Sequence, residues 1–438
     1  MARPSARELA AATPATRNRY VDLLRAASIG VVVLGHWMMA VISWEEEKFV
    51  GQNLLELNSG FQLLTWVFQV MPVFFIVGGF ANAASWDSAR RSGIGYADWL
   101  RARFARLLRP TVAFVAVWTV GGTVVALSGV DADLVRLGGV IVSLPLWFLA
   151  VYAFAVAAAP VMVAAHRRFG VSVVVGLAAA AVVVDVASWG FGVPVVGWLN
   201  FAFVWLVLHQ LGFLWRDGTL TRTRQTRWLL AAGGLAALAG LVILGPYPVS
   251  MVGLDEGQRT NNLPPSLALV ALGMWQAGLI LVFQDAANRW LERPRAWTAV
   301  VAANGMAMTV YLWHMTAMVL TALAVYPTGL WPQVAPLGAA WWALRPVWVA
   351  AAGTVLVALV ALFRGVERSV TSPPRAPEGW PGVLGGVFGA GAMCVGLALV
   401  ALHGFFVPGT PARLQVLALA ILVVAVALLR PLSRSQPV

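Results

Sequence analysis

A chain of 438 residues that is 60% hydrophobic and 11% charged cannot cover a soluble globule, whose surface needs about 25% charged residues. Its length is accounted for by membrane spans rather than by several soluble domains. The net charge of +12 rests on 30 basic residues, all arginine except Lys48, and Cys394 is the single cysteine, which excludes an internal disulfide and a CxxC metal signature.

Twelve apolar stretches are long enough to cross about 30 Å of hydrocarbon. They are 24–44, 61–84, 107–128, 139–164, 170–188, 194–214, 228–245, 265–284, 297–324, 338–363, 383–406 and 412–430. The expectation is an all-α polytopic bundle of twelve transmembrane helices with the lipid bilayer as its solvent. The residues before the first span are polar and arginine-bearing, and that span has no small-residue cleavage site, so no cleaved signal peptide is expected. With the N-terminus in the cytoplasm, alternation puts 25 of the 30 basic residues in cytoplasmic segments. Only Lys48, Arg136, Arg259, Arg345 and Arg413 fall outside. This is the positive-inside rule. It places both termini in the cytoplasm and turns the basic charge into a topology signal rather than a nucleic-acid footprint.

The first span carries Arg25 and His36, with Asp22 just before it. Ionisable residues inside a span are costly and point to function. Eleven positions on an α-helix rise about 16 Å and close to within about 20° of three full turns. Arg25 at the cytoplasmic interface and His36 near or past the midplane therefore share a face, and Asp22 can pair with Arg25 at i,i+3. The plainer readings are a packed histidine and a positive-inside anchor. Just beyond, Glu45–Glu47 reads as a solvated loop, or as carboxylates near enough for Glu45 to tune the imidazole. In "MPVFFIVGGFANA", Pro72 with Gly78 and Gly79 predicts a kink and close helix approach.

The cytoplasmic segment "RARFARLLRP" sets Arg103, Arg106 and Arg109 at i, i+3, i+6. Guanidinium groups in such a stripe pair bidentately with phosphates, of a ligand or of lipid headgroups. Asp185, near the end of the fifth span, reads as an interfacial cap. His166 is expected in a loop, His209 near a cytoplasmic helix end and His403 near an outer end; none is given a catalytic role. In "VYLWH", Tyr311 and His314 are i,i+3 neighbours, either a helix-locking hydrogen bond or part of a site. "TSPPRAPEGWPG" reads as a linker. The expected organisation is a cytoplasmic tail 1–20, a transmembrane core 21–365, a linker 366–382, and two further helices with a short tail, 383–438. No metal spacing, GxSxG or Gly-rich phosphate loop appears.

"YVDLLRAASIGVVVLGHW", "MPVFFIVGGF", "RARFARLLRP", "PLWFLAVY" and "VYLWH" occur in an order that resembles the acyltransferase 3 family of bacterial membrane proteins. The resemblance covers about 17–365. It implies O-acylation of an extracytoplasmic glycan, or of a small glycosylated or macrolide-type molecule, at the bacterial plasma membrane. Cytoplasmic acyl-CoA, usually acetyl-CoA, is the implied co-substrate, with no permanently bound cofactor. His36 carries over as the catalytic histidine and Arg25 as its partner in Arg-x10-His, beside Asp22. Arg103, Arg106 and Arg109 carry over as the CoA-binding element, with 103/106 and 106/109 both fitting Arg-x-x-Arg. Tyr311, His314 and Glu45 are secondary, acceptor-side candidates. His36 then acts as general base on a hydroxyl or as a transient acyl carrier. The alternative is a multi-pass transporter, against which stand the lack of paired half-repeats and the scarcity of intramembrane carboxylates for a proton relay.

Overall fold

The computed structural model of the chain describes residues 5–14, 17–254, 259–367, 379–405 and 412–429. Among these residues, eleven helices are long and apolar enough to cross a membrane, and a shorter apolar helix, Arg413–Leu429, follows them. They correspond one for one to the twelve expected stretches. In chain order the principal helices are α1 (Arg19–Met39), α2 (Met71–Arg91), α3 (Tyr96–Leu127), α4 (Pro145–Phe169), α5 (Ser172–Asp185) and α6 (Asn200–Arg216). They continue as α7 (Arg224–Leu244), α8 (Leu267–Leu291), α9 (Ala307–Val325), α10 (Ala339–Phe363), α11 (Trp380–His403) and α12 (Ala412–Leu429). The protein is a polytopic all-α membrane protein.

Several expectations about the elements are corrected. The first span does not run helical to residue 44: α1 stops at Met39 and a β-hairpin follows, β1 (Ala40–Glu45) and β2 (Lys48–Asn53). Val41, Ile42 and Trp44 are β-branched or aromatic and suit a strand, and Trp44 packs edge-on against Phe49 across the turn at 4.7 Å. Glu46 and Glu47 form that exposed two-residue turn, with φ of 48° and 62°, in keeping with the solvated loop expected there. The fourth stretch is broken at Leu144, between a helix at Ala132–Ser143 and α4, which Pro145 opens. The ninth is broken after Asn304, between a helix at Pro294–Asn304 and α9. The second stretch bends where expected: it is interrupted at Gln69–Val70, between a helix at Leu64–Phe68 and α2, and Pro72 stands second in α2, where its missing N–H costs nothing. His166 lies in the last turn of α4 rather than in a loop, bonded to Asp217 at 2.9 Å.

The chain divides into two compact units. One contains Met1–Gly35, Asn53–Asp87 and Ala158–Ala307. Between spans, water-driven burial gives little attraction, so small residues and close van der Waals contact do the packing. A Cβ on Gly79 of α2 would stand 1.9 Å from the His209 carbonyl oxygen, and one on Gly212 of α6 would stand 2.1 Å from that of Ile76. The expected close approach is thus made by Gly79, with α6 as its partner. Beside it, the Asn82 amide and the His209 imidazole, both buried, meet at 3.2 Å. Asp185 is a cap, as expected: its carboxylate accepts from Asn200, Tyr247 and the Leu267 N–H. In the N-terminal tail, Ala6–Ala11 is helical behind a Ser5–Glu8 capping box.

The other unit contains His36–Gln52, Ser88–Ala157 and Met308–Val438. Here α11 and α12 are held to α3 by Arg101. That guanidinium is 3% exposed and donates to the carbonyls of Gly382 and Leu428 at 3.1 and 3.2 Å. The Glu367 carboxylate caps α9, accepting from the main-chain N–H groups of Met308 and Thr309 at 3.0 Å and from the Thr309 hydroxyl. Most of the expected linker lies outside the described residues.

Candidate active site

The second unit brings His36 and His314 together. His36 is three residues from the end of α1, and His314 lies in the middle of α9. His36 Nδ1 and His314 Nε2 are 2.9 Å apart, with the rings stacked at 5.1 Å. Trp37, 3% exposed, fixes the register by donating its indole N–H to the His314 carbonyl at 3.0 Å. His314 is fully buried, whereas His36 is half-buried. The accessible imidazole is His36, and His314 stands behind it.

The hydrogen bonds assign the protons. His314 Nδ1 lies 2.5 Å from the main-chain oxygen of Tyr311. A carbonyl oxygen only accepts, so Nδ1 of His314 carries a proton. In a neutral imidazole the other nitrogen is then an acceptor. His36 Nδ1–H therefore donates to His314 Nε2, and His36 Nε2 keeps its lone pair. The chain carbonyl, imidazole, imidazole ends in one basic nitrogen on the more accessible ring. It orients that ring as a buried acceptor orients the base of a hydrolytic triad. Such a nitrogen can take a proton from a hydroxyl, or attack a carbonyl carbon.

Tyr311 supports this arrangement through its backbone. Its hydroxyl is committed elsewhere, donating to the Pro145 carbonyl at 2.8 Å, where α4 begins after the Leu144 break. Its ring packs edge-on against Phe148 at 5.5 Å. The sequence pairs Tyr311 with His314 correctly, but the bond runs from the His314 ring to the Tyr311 carbonyl. The hydroxyl is not involved.

In the first unit, Asp22 and Arg25 pair as expected, Arg25 Nη2 to Asp22 Oδ1 at 3.0 Å. Two unpredicted residues complete the cluster. Arg17 Nε reaches Asp22 at 2.6 Å, a bond that raises the Arg17 guanidinium above its ordinary value. Asn304, at the end of helix Pro294–Asn304, accepts from Arg25 Nε at 2.6 Å and donates to the Asp22 and Val300 carbonyls, both at 2.9 Å. Arg25 Nη1 has no hydrogen bond among the described residues. Arg25 and His36 are carried by one unbroken helix, α1. Asn304 gave no signal in the sequence, being one neutral amide at the edge of an apolar run.

On α3 the arginines face different ways. Arg101 is turned inward, Arg103 is half-buried, and Arg106 and Arg109 are exposed. The exposed pair has the access that a phosphate ligand requires. The hairpin carries Glu45 to an exposed position, where it accepts from Ser43 at 2.7 Å. The partner of His36 is therefore another imidazole.

A family model described as an acyltransferase domain matches residues 18–365. No curated protein and no solved structure matches the chain. The matched span holds all the clusters above and ends before α11.

Proposed function

The chain belongs to the acyltransferase 3 family and is a membrane acyltransferase; on that premise we propose that it transfers an acetyl group from cytoplasmic acetyl-CoA to a hydroxyl of an extracytoplasmic glycan, or of a small glycosylated or macrolide-type acceptor. The observation that carries this reading is the free Nε2 of His36, fixed in its tautomer by His314. Nε2 takes the proton of the acceptor hydroxyl, and the oxygen attacks the thioester carbonyl. The C–S bond breaks on collapse, the ester forms, and the proton passes from His36 to the departing thiolate to give free CoA. The imidazolium formed in between shares its charge along the relay to His314 and the Tyr311 carbonyl.

Arg106 and Arg109, with Arg103, receive the CoA phosphates, because guanidinium pairs with phosphate bidentately. The bias of basic residues supports the sidedness: the arginine stripe and both termini in the cytoplasm, the hairpin after His36 outside. We assign the protein to the plasma membrane of a bacterium. Residues 18–365 form the acyltransferase core, and α11 and α12 are an accessory pair bolted to α3 through Arg101.

The test is thiol release by the purified, full-length protein in lipid nanodiscs given acetyl-labelled acetyl-CoA and hydroxyl acceptors. The reading predicts acceptor-dependent release of CoA, with the label recovered as an ester. Replacing Arg106 and Arg109 together by Gln raises KM for acetyl-CoA at least tenfold, about 1.4 kcal/mol of lost binding, with kcat nearly unchanged. No thiol release with any acceptor, or a double variant with an unaltered KM, counts against it.

A further inference from the structure

Arg345 in α10 is 7% exposed, yet among the described residues it forms no ion pair. Its guanidinium lies 3.6 Å over the ring of Trp341, and Nη1 donates to the Ala40 carbonyl at 3.2 Å. Guanidinium has five N–H donors, and among the described residues that is the one hydrogen bond it makes. A buried cation is costly unless it is paired. Ala40 is the first residue of β1, four positions beyond His36. The unpaired cation is thus tied to the chain just past the proposed base.

The surroundings are aromatic. Trp348, 1% exposed, has a buried indole N–H with no partner among the described residues, and its ring meets Tyr326 at 6.0 Å and Trp331 at 5.5 Å. The Tyr326 hydroxyl donates to the Ile42 carbonyl at 2.7 Å, and the Gln333 side chain accepts from the Trp44 N–H at 3.2 Å. These two bonds tie the segment after α9 to the hairpin. A membrane aromatic belt sits at headgroup level with its rings towards lipid. Here Trp341, Trp348 and Tyr326 are buried, while Trp44 and Trp331 are half-buried and Gln333 is exposed.

We propose that this cluster is the acceptor subsite and that it takes an acidic sugar unit, its carboxylate or phosphate on Arg345 and its pyranose face against the indoles of Trp331 and Trp44. The chemistry matches what is missing. An anionic oxygen group pairs bidentately with the remaining guanidinium donors, and aromatic walls accept the apolar C–H face of a sugar. This rests on the transferase reading for its purpose, since it names the class of acceptor. The binding itself needs no acyl transfer.

The experiment is calorimetry on the full-length protein in zwitterionic nanodiscs, with D-glucuronate, glucose 6-phosphate and methyl glucoside as probes. Glucuronate and glucose 6-phosphate should bind at least tenfold more tightly than methyl glucoside. Arg345→Gln should reduce both to the level of methyl glucoside, and Trp331→Ala should weaken all three. If Arg345→Gln does not fold, Arg345→Lys, which keeps the charge and loses the fork, should weaken the two anions alone. Equal binding of charged and uncharged sugars overturns the proposal, as does anion binding that survives loss of Arg345. In phosphatidylglycerol discs, suppression of sugar binding through Arg345 would make this a lipid headgroup site, which also overturns it. Because no donor is present, these outcomes are independent of whether acetyl-CoA is the substrate.

Discussion

The relay of His36 and His314 is a bond between residues 278 positions apart. His314 acts by accepting the His36 Nδ1 proton, so what it must supply is an acceptor. We predict that His314→Leu lowers kcat about 10²–10⁴-fold, the range for mispositioning a general base, with KM for acetyl-CoA unchanged. His314→Gln, whose amide oxygen can accept the same proton, should recover part of that loss. Equal defects in the two variants, measured by thiol release, would show that His314 only fills space. The sequence made His36, His314, Arg25 and Asp22 visible individually, because each is an ionisable residue in or beside an apolar run. It could not show that the partner of His36 is another histidine. Nor could it mark Asn304, whose role depends on a helix ending where the hydropathy does not fall.

At the scale of elements, hydropathy located every span but not the breaks within them. Leu144 and Gly305 interrupt helices inside stretches that stay apolar. The hairpin after α1 is hidden for the same reason, since Val41 to Trp44 continues the greasy run of the helix. Close helix crossings were partly legible, through the small residues of the second span. Their partner was not, because α6 shows only a single glycine, Gly212, near the contact. Gly79→Ala places a methyl group against the His209 carbonyl and should destabilise the protein by about 1–3 kcal/mol, the usual cost of overpacking. Gly30→Ala, whose added methyl has no neighbour within 4 Å, is the control and should leave thermal unfolding in detergent unchanged or slightly raised. Equal behaviour of the two variants would mean that the α2–α6 crossing is looser than described.

For the whole molecule, the placement of charge predicts the sidedness on which donor and acceptor access depend. The two ends of α3 give a direct readout. In a background with Cys394→Ser, Ser92→Cys before α3 should resist a membrane-impermeant maleimide added to intact cells, and Ser128→Cys after it should react. Both serines are exposed. The opposite pattern would invert the topology and put the arginine stripe on the wrong side for cytoplasmic CoA. The helices α11 and α12 lie beyond the matched family span, and their attachment through Arg101 was not foreseen. Within "RARFARLLRP" nothing distinguishes the one arginine that turns inward from the three given the phosphate-binding role.

The central claim is that His36 is the reacting base and that His314 works only through it. A double-mutant cycle of His36→Ala and His314→Leu, read as acetyl transfer from labelled acetyl-CoA, tests this most directly. His36→Ala should abolish transfer, and adding His314→Leu to it should cost nothing further. Transfer at the wild-type rate by His36→Ala, or fully additive losses in the double variant, would contradict it.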